Sequence, residues 1–126
     1  MKRDLDLMRN ILITAEDSDG AVGFGTLLEC ESDAEKLAYH VELMQSRGLV
    51  SATVRRDGIR RCPIDAEVLA VTWEGYDCLD AIRSPKVWEK AKEAVSKAVG
   101  ETSLSVMKDT CQAVARGMIM NHLGMQ

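Results

Sequence analysis

Residues 32–50 read SDAEKLAYHVELMQSRGLV, and this stretch decides the fold. The apolar residues Leu37, Val41 and Met44 recur within it at the spacing that lines one face of an α-helix. The residues that follow, 51–56, are rich in types that favour β-strands. A helix that runs into a β-rich segment is typical of the second half of a winged helix-turn-helix. We therefore expect an α+β fold of this class.

Both ends of this central helix carry capping signals. Ser32 is a candidate N-cap, and Glu35 follows three residues later, as a capping box requires. Gly48 predicts a left-handed residue at the other end, after which Leu49 and Val50 fold back onto the last turn. The helix is therefore bounded on both sides by local signals.

The segment before the central helix predicts one helix and one short strand. Residues 2–17 place apolar side chains on one helical face, and the turn formers of residues 17–20 end this helix. Gly23 and Gly25 interrupt the next segment, where an ordinary helix-turn-helix has its first helix. We expect a short strand there instead, over Gly25–Cys30. The apolar face of the first helix comprises Leu5, Met8, Ile11, Leu12 and Ala15.

A β-hairpin is predicted after the central helix, and its register stays open. In one alternative, residues 57–58 (Asp-Gly) form a type I′ turn and residues 59–61 return from it. In the other, the outer strands pair directly and residues 55–65 project as a loop. We expect residues 62–65 to be loop and residues 67–71 to be a strand. Either alternative gathers four arginines at the tip, namely Arg55, Arg56, Arg60 and Arg61.

Two further helices are predicted on either side of a proline. Thr72 caps the first of them. Ser84 ends it, because a residue before proline is pushed out of α geometry, and Pro85 opens a second helix that runs to about Val99, before Gly100. The predicted buried positions are Trp73, Tyr76, Leu79 and Ile82 in the first helix and Val87, Trp88, Ala91, Val95 and Ala98 in the second.

The last helix begins after Ser103 and loses its polar face toward its end. Such an end favours a partner surface, and we expect a homodimer through this helix; the alternative is that it packs back on its own chain. We divide the chain into a winged-helix-like domain, residues 1–83, and a helical extension that packs on it, residues 84–126. The helix stripe is Leu104, Met107, Cys111, Val114 and Met118, and the apolar end is Met118, Ile119, Met120, Leu123 and Met125.

Composition indicates an ordinary soluble protein. The 126 residues are 46% apolar and 29% charged, and the net charge is -4. This charge disfavours a strong non-specific grip on nucleic acid, although a local basic patch can act within an acidic whole. The start of the chain is amphipathic and not an apolar run, so we expect no signal peptide and no membrane span, and a cytoplasmic location.

The chain lacks the motifs of the common enzyme classes and of zinc sites. Its four cysteines lie far apart with no C-x-x-C pair, so we expect reduced, packed cysteines, no metal and no cofactor. No glycine-rich phosphate loop, His-Glu-x-x-His helix or Gly-x-Ser-x-Gly elbow occurs. His40 sits at the edge of the buried helix face, which favours a packing histidine over a base or a nucleophile pair with Cys30. We therefore expect a protein that is not an enzyme.

Three motifs resemble an uncharacterised domain-of-unknown-function family of small bacterial and phage proteins. They are MKRDxDLxRxIL at residues 1–12, AYHVxLM at residues 38–44 leading to GLV, and LxVTWEGYxCLDAIR at residues 69–83, followed by VW at residues 87–88. The resemblance covers roughly residues 1–110. It implies a winged-helix-like fold and a frequent setting in prophages or other mobile elements. It implies no activity, so no catalytic residue is carried over.

The helix and the arginine-tipped hairpin together predict a DNA-binding regulator. A helix that enters the major groove needs exposed polar residues away from its core stripe, and residues 32–47 offer them. Wing arginines would follow the phosphate backbone or enter the minor groove. The predicted contacts to double-stranded DNA are Lys36, Tyr39, Gln45, Arg47, Arg55, Arg56, Arg60 and Arg61.

An acidic run at the start of the same helix favours a second hypothesis. Four carboxylates lie there, and although acids suit a helix N-terminus, they repel phosphate at close range. The alternative function is a non-enzymatic adaptor or inhibitor that docks on a host or phage protein through an acidic or apolar surface. The two hypotheses differ in the expected surface: a DNA binder should join the arginine tip and the central helix in one positive surface. The acidic run comprises Glu29, Glu31, Asp33 and Glu35.

Overall fold

The chain folds as an α+β protein, as the helix and hairpin patterns predict. Its structure, a computed structural model, describes residues 1–100 and 102–124. They group into two compact units, Met1–Asp77 and Cys78–Gln126. In chain order the elements are α1 (Leu5–Glu16), α2 (Phe24–Leu27), α3 (Ala34–Ser46), β1 (Val50–Arg56), β2 (Pro63–Val71), α4 (Trp73–Ile82), α5 (Pro85–Ala98) and α6 (Leu104–His122).

The first unit is built on an antiparallel pair of strands. β1 and β2 form the sheet, α3 packs on both strands, and α1 packs on α3 and on β2. The predicted apolar face of α1 is confirmed at four of its five positions, while Leu7 is buried and Leu5 is half-buried. The core side chains of the two helices are Leu7, Met8, Ile11, Leu12, Ala15, Leu37, Ala38, Val41 and Met44.

The N-cap of α3 is Asp33, so the predicted capping box at Ser32 is wrong by one residue. The Asp33 side chain accepts a hydrogen bond from the Lys36 N–H at 3.2 Å. The Asp33 carbonyl accepts the Leu37 N–H at 2.9 Å, which makes it the first carbonyl of the helical ladder. Asp and Ser are about equally favourable N-cap residues, so the residue types at positions 32 and 33 do not distinguish the two. The position at which the backbone becomes helical makes Asp33 the cap.

The C-terminal end of α3 confirms the predicted left-handed cap. Gly48 has a φ of 82°. Its N–H donates to the Gln45 carbonyl and the Leu49 N–H donates to the Met44 carbonyl, each at 2.9 Å, which is the Schellman arrangement. Leu49 and Val50 are buried, so the chain turns directly from the helix into β1.

The predicted strand over Gly25–Cys30 is wrong. Phe24–Leu27 forms a single helical turn that buries Leu27 completely. The extended residue is instead Val22, which exchanges two backbone hydrogen bonds with Val68 of β2 at 2.7 and 3.0 Å. Phe24 and Leu27 are three residues apart, which fits one face of a helix. In a run this short, the spacing of apolar residues alone cannot distinguish a helix from a strand.

The hairpin pairs its outer strands directly, so the two-residue turn at 57–58 is wrong. The ladder runs from Val50 opposite Val71 to Arg56 opposite Pro63. Residues 63–65, predicted as loop, belong to β2, and the predicted strand at residues 67–71 is confirmed. The connection is the β1–β2 loop, residues 57–62, which is shorter than the projecting loop expected over residues 55–65.

Hydrogen bonds of Asp57 explain why this loop is not a two-residue turn. Its N–H donates to the Cys62 carbonyl and its carbonyl accepts the Arg61 N–H, each at 2.8 Å. Its carboxylate accepts the Ile59 N–H at 2.9 Å, an Asx-type turn. Arg61 completes the loop in the left-handed region, with a φ of 57°.

Thr72 and Gly75 fasten the start of α4 to the end of α3. The Thr72 hydroxyl accepts the Gly75 N–H at 3.0 Å, which confirms the predicted cap, and it donates to the Gly48 carbonyl. The Thr72 N–H donates to the Leu49 carbonyl at 3.1 Å. A Cβ on Gly75 would overlap that carbonyl oxygen and lie 2.7 Å from Cγ1 of Val71. Only glycine permits this approach.

The buried face of α4 is confirmed at Leu79 and Ile82 and wrong at Trp73 and Tyr76. Trp73 is 79% exposed and Tyr76 is 43% exposed. Gly75 lies against the Leu49 backbone and sets the rotation of the helix, so a neighbouring stripe faces inward. The buried positions of α4 are Gly75, Cys78, Leu79 and Ile82.

The second unit contains α5 and α6, which pack on each other. The predicted helix break at Ser84–Pro85 is confirmed, and Ser84 is the N-cap of α5, where its hydroxyl accepts the Val87 N–H at 3.3 Å. The predicted start of the last helix at Ser103 is also confirmed, and its hydroxyl accepts the Val106 N–H at 3.2 Å. The α5 stripe is buried except at Ala98. Of the α6 stripe, Met107 and Cys111 are buried and Leu104, Val114 and Met118 are half-buried, while Met125 lies outside the described residues.

Candidate functional site

The β1–β2 loop and the last residues of β1 lie along the surface of α3. Arg56, at the end of β1, forms an ion pair with Glu42 in the middle of α3. Arg60, in the loop, forms an ion pair of 2.8 Å with Glu35 in its first turn. The loop therefore follows α3 toward its N-terminal end, and two of the predicted wing arginines lie beside the predicted groove helix.

Asp57 holds Arg60 from the side of the loop. Its carboxylate accepts the Arg60 Nε–H at 3.2 Å in addition to the Ile59 N–H. These two bonds hold the pKa of the Asp57 carboxyl below its ordinary value of 3.8, and the bond from the Ile59 N–H has the larger effect. The Arg60 guanidinium thus bridges two carboxylates, one in the loop and one on α3.

The other two wing arginines are more open to solvent. The Arg55 side chain is 72% exposed, and its guanidinium lies 3.7 Å from the Asp65 carboxylate on the facing strand. Arg61 is exposed, and its carbonyl accepts a hydrogen bond from the Arg56 guanidinium. In the part of the chain that the structure describes, the Arg61 guanidinium forms no ion pair.

Lys36 joins α3 to the start of α1. Its ammonium lies 2.8 Å from Glu31 and 2.9 Å from Asp4, the N-cap of α1. The hydrogen bond from Lys36 holds the pKa of the Glu31 carboxyl below its ordinary value of 4.5. Burial raises the pKa of the Asp4 carboxyl, but hydrogen bonds from Lys36 and from the Leu7 N–H outweigh it, so that pKa is lowered. Hydrogen bonds to Glu31 and Asp4 raise the pKa of Lys36.

His40 is fully buried, which confirms its interpretation as a packing histidine. Its Nε2 accepts the Asp4 backbone N–H at 2.8 Å, so the ring proton resides on Nδ1, which donates to the Lys36 carbonyl at 2.7 Å. The Tyr39 ring meets it edge-on, with centroids 5.9 Å apart. Cys30 contacts the Thr14 hydroxyl at 3.3 Å and not His40.

The remaining predicted contacts lie on α3 and at its end. Tyr39 is half-buried, and Gln45 and Arg47 are exposed. Arg47 is the C-cap, so it lies about 18 Å along the helix from Glu35 at 1.5 Å per residue. In the described part of the chain its guanidinium forms no ion pair. The predicted cations thus spread along the whole of α3 and do not converge on one point.

The sequence did not predict that carboxylates of α3 pair with the arginines of the candidate site. Glu35 and Glu42 are seven residues apart and therefore share one face of α3, the face that meets the loop. That spacing was visible in the sequence. Their partners lie 25 and 14 residues further along the chain, and only the hairpin register identifies them.

The remaining clusters of titratable side chains and the free cysteines complete the description of the site region. No group of three or more His, Cys, Asp or Glu side chains among the described residues could hold a metal ion. All four cysteines are free, Cys78 and Cys111 buried, and burial raises the pKa of the Cys78 thiol. An open cleft of about 370 Å³ beside the end of α1 has no histidine or cysteine in its lining.

The family assignment follows from the match to known sequences. The profile of the family described as "Hypothetical protein (DUF2513)" matches residues 2–101. The chain belongs to the DUF2513 family. The resemblance that the three motifs indicate is therefore confirmed, and the DUF2513 match ends before α6 begins.

A relative from Haemophilus influenzae extends the similarity beyond the DUF2513 match. It bears the description "Uncharacterized protein" and is 31% identical over 128 residues, covering 94% of this chain and 99% of its own length. No solved structure matches the chain. No helix among the described residues has the length and hydropathy that crossing a membrane requires.

Proposed function

We propose that this chain is a winged-helix protein that binds double-stranded DNA through α3 and the β1–β2 loop. The order of its elements supports the proposal: α1, the Val22 bridge to β2, α2, α3 and then the β1–β2 hairpin follow the helix, strand, helix, helix, hairpin order of that fold. We further propose that it acts in the cytoplasm as a transcriptional regulator of phage or mobile-element origin and that it is not an enzyme.

The observation that carries the proposal is the contact between the loop and the helix. The Arg60–Glu35 and Arg56–Glu42 ion pairs hold the arginine-bearing loop along α3. A duplex that meets the exposed side of this helix would therefore meet the loop as well. Phosphate contacts from the loop would fix the register of the helix in the groove, where Gln45 could read a base edge.

The ion pairs divide the cations into two groups. Arg55, Arg61 and Arg47 are exposed, and among the described residues only Arg55 of the three has a carboxylate near it, at 3.7 Å. These three would contact phosphates without losing a close partner. Arg56, Arg60 and Lys36 are held by carboxylates, so each would have to exchange a carboxylate for a phosphate. We therefore propose weak non-specific binding, with affinity reserved for a site that α3 reads.

Fluorescence anisotropy with a labelled random-sequence duplex at low salt tests this function. We expect the wild-type chain to bind and the double variant Arg55→Ala, Arg61→Ala to bind more weakly. Lys97→Ala, which removes an exposed cation from α5, is the matched control and should bind like the wild type. Absence of binding at about 100 micromolar protein, the weak end of the range of non-specific dissociation constants, argues against the proposal. Equal binding of the duplex by the wild-type chain and by the Arg55→Ala, Arg61→Ala variant also argues against the proposal.

An adaptor or inhibitor that docks on a host or phage protein is the second candidate. The acidic run at the start of α3 favours it, because Glu29, Asp33 and Glu35 are exposed and Glu31 is half-buried. The carboxylates that neutralise the wing favour it as well. The variant Glu35→Gln, Glu42→Gln separates the two candidates: it should strengthen binding to a duplex if DNA is the ligand. If the acids serve a protein partner, the duplex should bind neither form.

We also propose a homodimer through α6. Ile119 and Leu123, four residues apart at the end of this helix, are 60% and 65% exposed. Light scattering should give the mass of two chains, and Ile119→Glu with Leu123→Glu should give that of one. Gln112→Glu, at an exposed position of the same helix, is the control. A wild-type chain that stays monomeric at high concentration contradicts this proposal.

A further inference from the structure

The outer face of α4 carries an exposed tryptophan. Trp73 is 79% exposed at the first position of the helix, and Tyr76, one turn later, is 43% exposed. Tryptophan and tyrosine bury large areas when they pack, and both are enriched at the centres of protein interfaces. Two such rings on successive turns of one helix form an apolar surface that the described part of the chain leaves uncovered.

The anchoring of α4 fixes which face is exposed. Thr72 caps the helix and hydrogen-bonds to Gly48, and Gly75 lies against the Leu49 carbonyl. The first turn therefore cannot rotate to bury Trp73 without breaking these contacts. The exposed rings therefore belong to the outer face of a helix whose first turn is anchored to the end of α3.

Two carboxylates share this face with the rings. Trp73, Tyr76, Asp77 and Asp80 follow one another at i, i+3, i+4 and i+7, so they lie on one stripe opposite the buried positions of the helix. Both aspartates are exposed; Asp80 lies 3.2 Å from Arg83, and Asp77 forms no ion pair within residues 1–100 and 102–124. We name these four residues the aromatic–acidic stripe.

The charge and the rings of the stripe together select one kind of occupant. We propose that the aromatic–acidic stripe docks a basic segment of a partner protein, with an arginine or lysine side chain stacked on Trp73 and Tyr76. A cation over an aromatic face is attracted by the ring, and the Asp77 and Asp80 carboxylates supply its counter-charge. Nucleic acid does not fit, because these carboxylates would repel phosphate. The site is separate in sequence from α3 and the β1–β2 loop, so it does not depend on DNA binding.

A short labelled peptide of arginine and leucine is the probe, and the same peptide with citrulline in place of arginine is its uncharged control. We expect the full chain to bind the arginine peptide in an anisotropy titration and to bind the citrulline peptide more weakly. Emission from the exposed Trp73 should shift in the same titration, while Trp88, 1% exposed, should contribute a constant signal. Equal binding of the two peptides overturns the proposal, since the cation is then irrelevant.

Variants locate the binding on α4. Trp73→Ala and Tyr76→Ala should each weaken the peptide about two- to fivefold, the effect of one exposed cation–π contact. Ile59→Ala, at a 93% exposed position of the β1–β2 loop, is the apolar control and should leave the affinity unchanged. Asp77→Asn should weaken binding, and Asp109→Asn on α6, also exposed, should not. If Trp73→Ala fails to fold, Tyr76→Ala answers the same question.

A second copy of the chain is the other possible occupant, because its own loop carries exposed arginines. In that case Trp73 emission should shift with protein concentration in the absence of peptide, and Arg60→Ala with Arg61→Ala should abolish the shift. That result overturns the assignment to a partner protein. A concentration-independent emission, together with saturable peptide binding that the α4 variants weaken, supports it.

Discussion

Arg60 of the β1–β2 loop forms a 2.8 Å ion pair with Glu35 in the first turn of α3. Together with the pair between Arg56 and Glu42, it joins the arginine-bearing loop to the helix proposed to enter the groove. The same contacts neutralise two guanidinium groups. The geometry of the proposed DNA-binding edge and the charge compensation of that surface therefore come from one set of residues.

Removing the two glutamates should make the surface more attractive to DNA. Glu35→Gln with Glu42→Gln releases Arg60 and Arg56, and because solvent-exposed ion pairs are weak, we expect up to about fivefold tighter duplex binding per pair. Anisotropy at one salt concentration measures it. Glu93→Gln, which frees Lys97 on α5, is the control, and an affinity that does not rise would mean that these arginines never meet the phosphates.

Substituting Gly75 should destabilise the first unit. A Cβ in Gly75→Ala would overlap the Leu49 carbonyl, and relieving such an overlap typically costs about 1–3 kcal/mol. For a domain of this size the melting temperature should fall by about 4–8 °C per kcal/mol. Gly117→Ala, in α6 with no atom near its Cβ, should instead stabilise the chain by up to about 1 kcal/mol. Melting curves in which both variants shift alike would contradict the packing of α4 described above.

The Lys36 cluster should make stability fall at acid pH. The pKa values of Asp4 and Glu31 are lowered in the folded chain, so the unfolded chain binds more protons in this range. Their contribution is complete above the ordinary values of 3.8 and 4.5 and is lost as pH falls through the lower folded values. Urea midpoints between neutral and acid pH should show this loss, and Lys36→Met should flatten it. An unchanged pH profile in Lys36→Met would show that Lys36 does not lower these pKa values.

The tautomer of His40 gives a direct test of how α1 is attached to α3. Nitrogen NMR should find the proton on Nδ1, because the Asp4 N–H already occupies Nε2. His40→Phe keeps the ring but leaves the Asp4 N–H without its buried acceptor, which should cost about 1–3 kcal/mol in the free energy of unfolding. Tyr39→Phe, which keeps the neighbouring ring and removes only a hydroxyl, should cost less. A ring protonated at Nε2 would contradict the described contact.

Features that depend on neighbouring residues could be predicted from the sequence, and those that depend on distant ones could not. Gly48, Ser84 and Ser103 end or begin helices through contacts within a few residues, and all three were predicted. The exposure of Trp73 could not be predicted from the sequence. In α4 the predicted positions 73, 76, 79 and 82 and the buried positions 75, 78, 79 and 82 both have helical spacing. The contact that chooses between them joins Gly75 to Leu49, 26 residues away.

The candidate site divides in the same way. Its arginines are visible as a cluster in the sequence, since residues 55–61 contain four of them. Their charge compensation is not visible there, because it depends on which residue of α3 each one faces. Which residue of α3 each arginine faces depends on the length of the β1–β2 loop, residues 57–62. The carboxylate and the backbone of Asp57 close this six-residue loop, where the sequence had also allowed a two-residue turn.

The salt dependence of duplex affinity tests the central claim most directly. If Arg47, Arg55 and Arg61 contact phosphates, the dissociation constant should change with salt on a logarithmic slope of about 2.7, which corresponds to three phosphates. Arg55→Ala with Arg61→Ala should reduce that slope to about 0.9. A wild-type affinity that does not depend on salt, or a slope that the double variant leaves intact, would contradict the assignment of the β1–β2 loop as a DNA-binding wing.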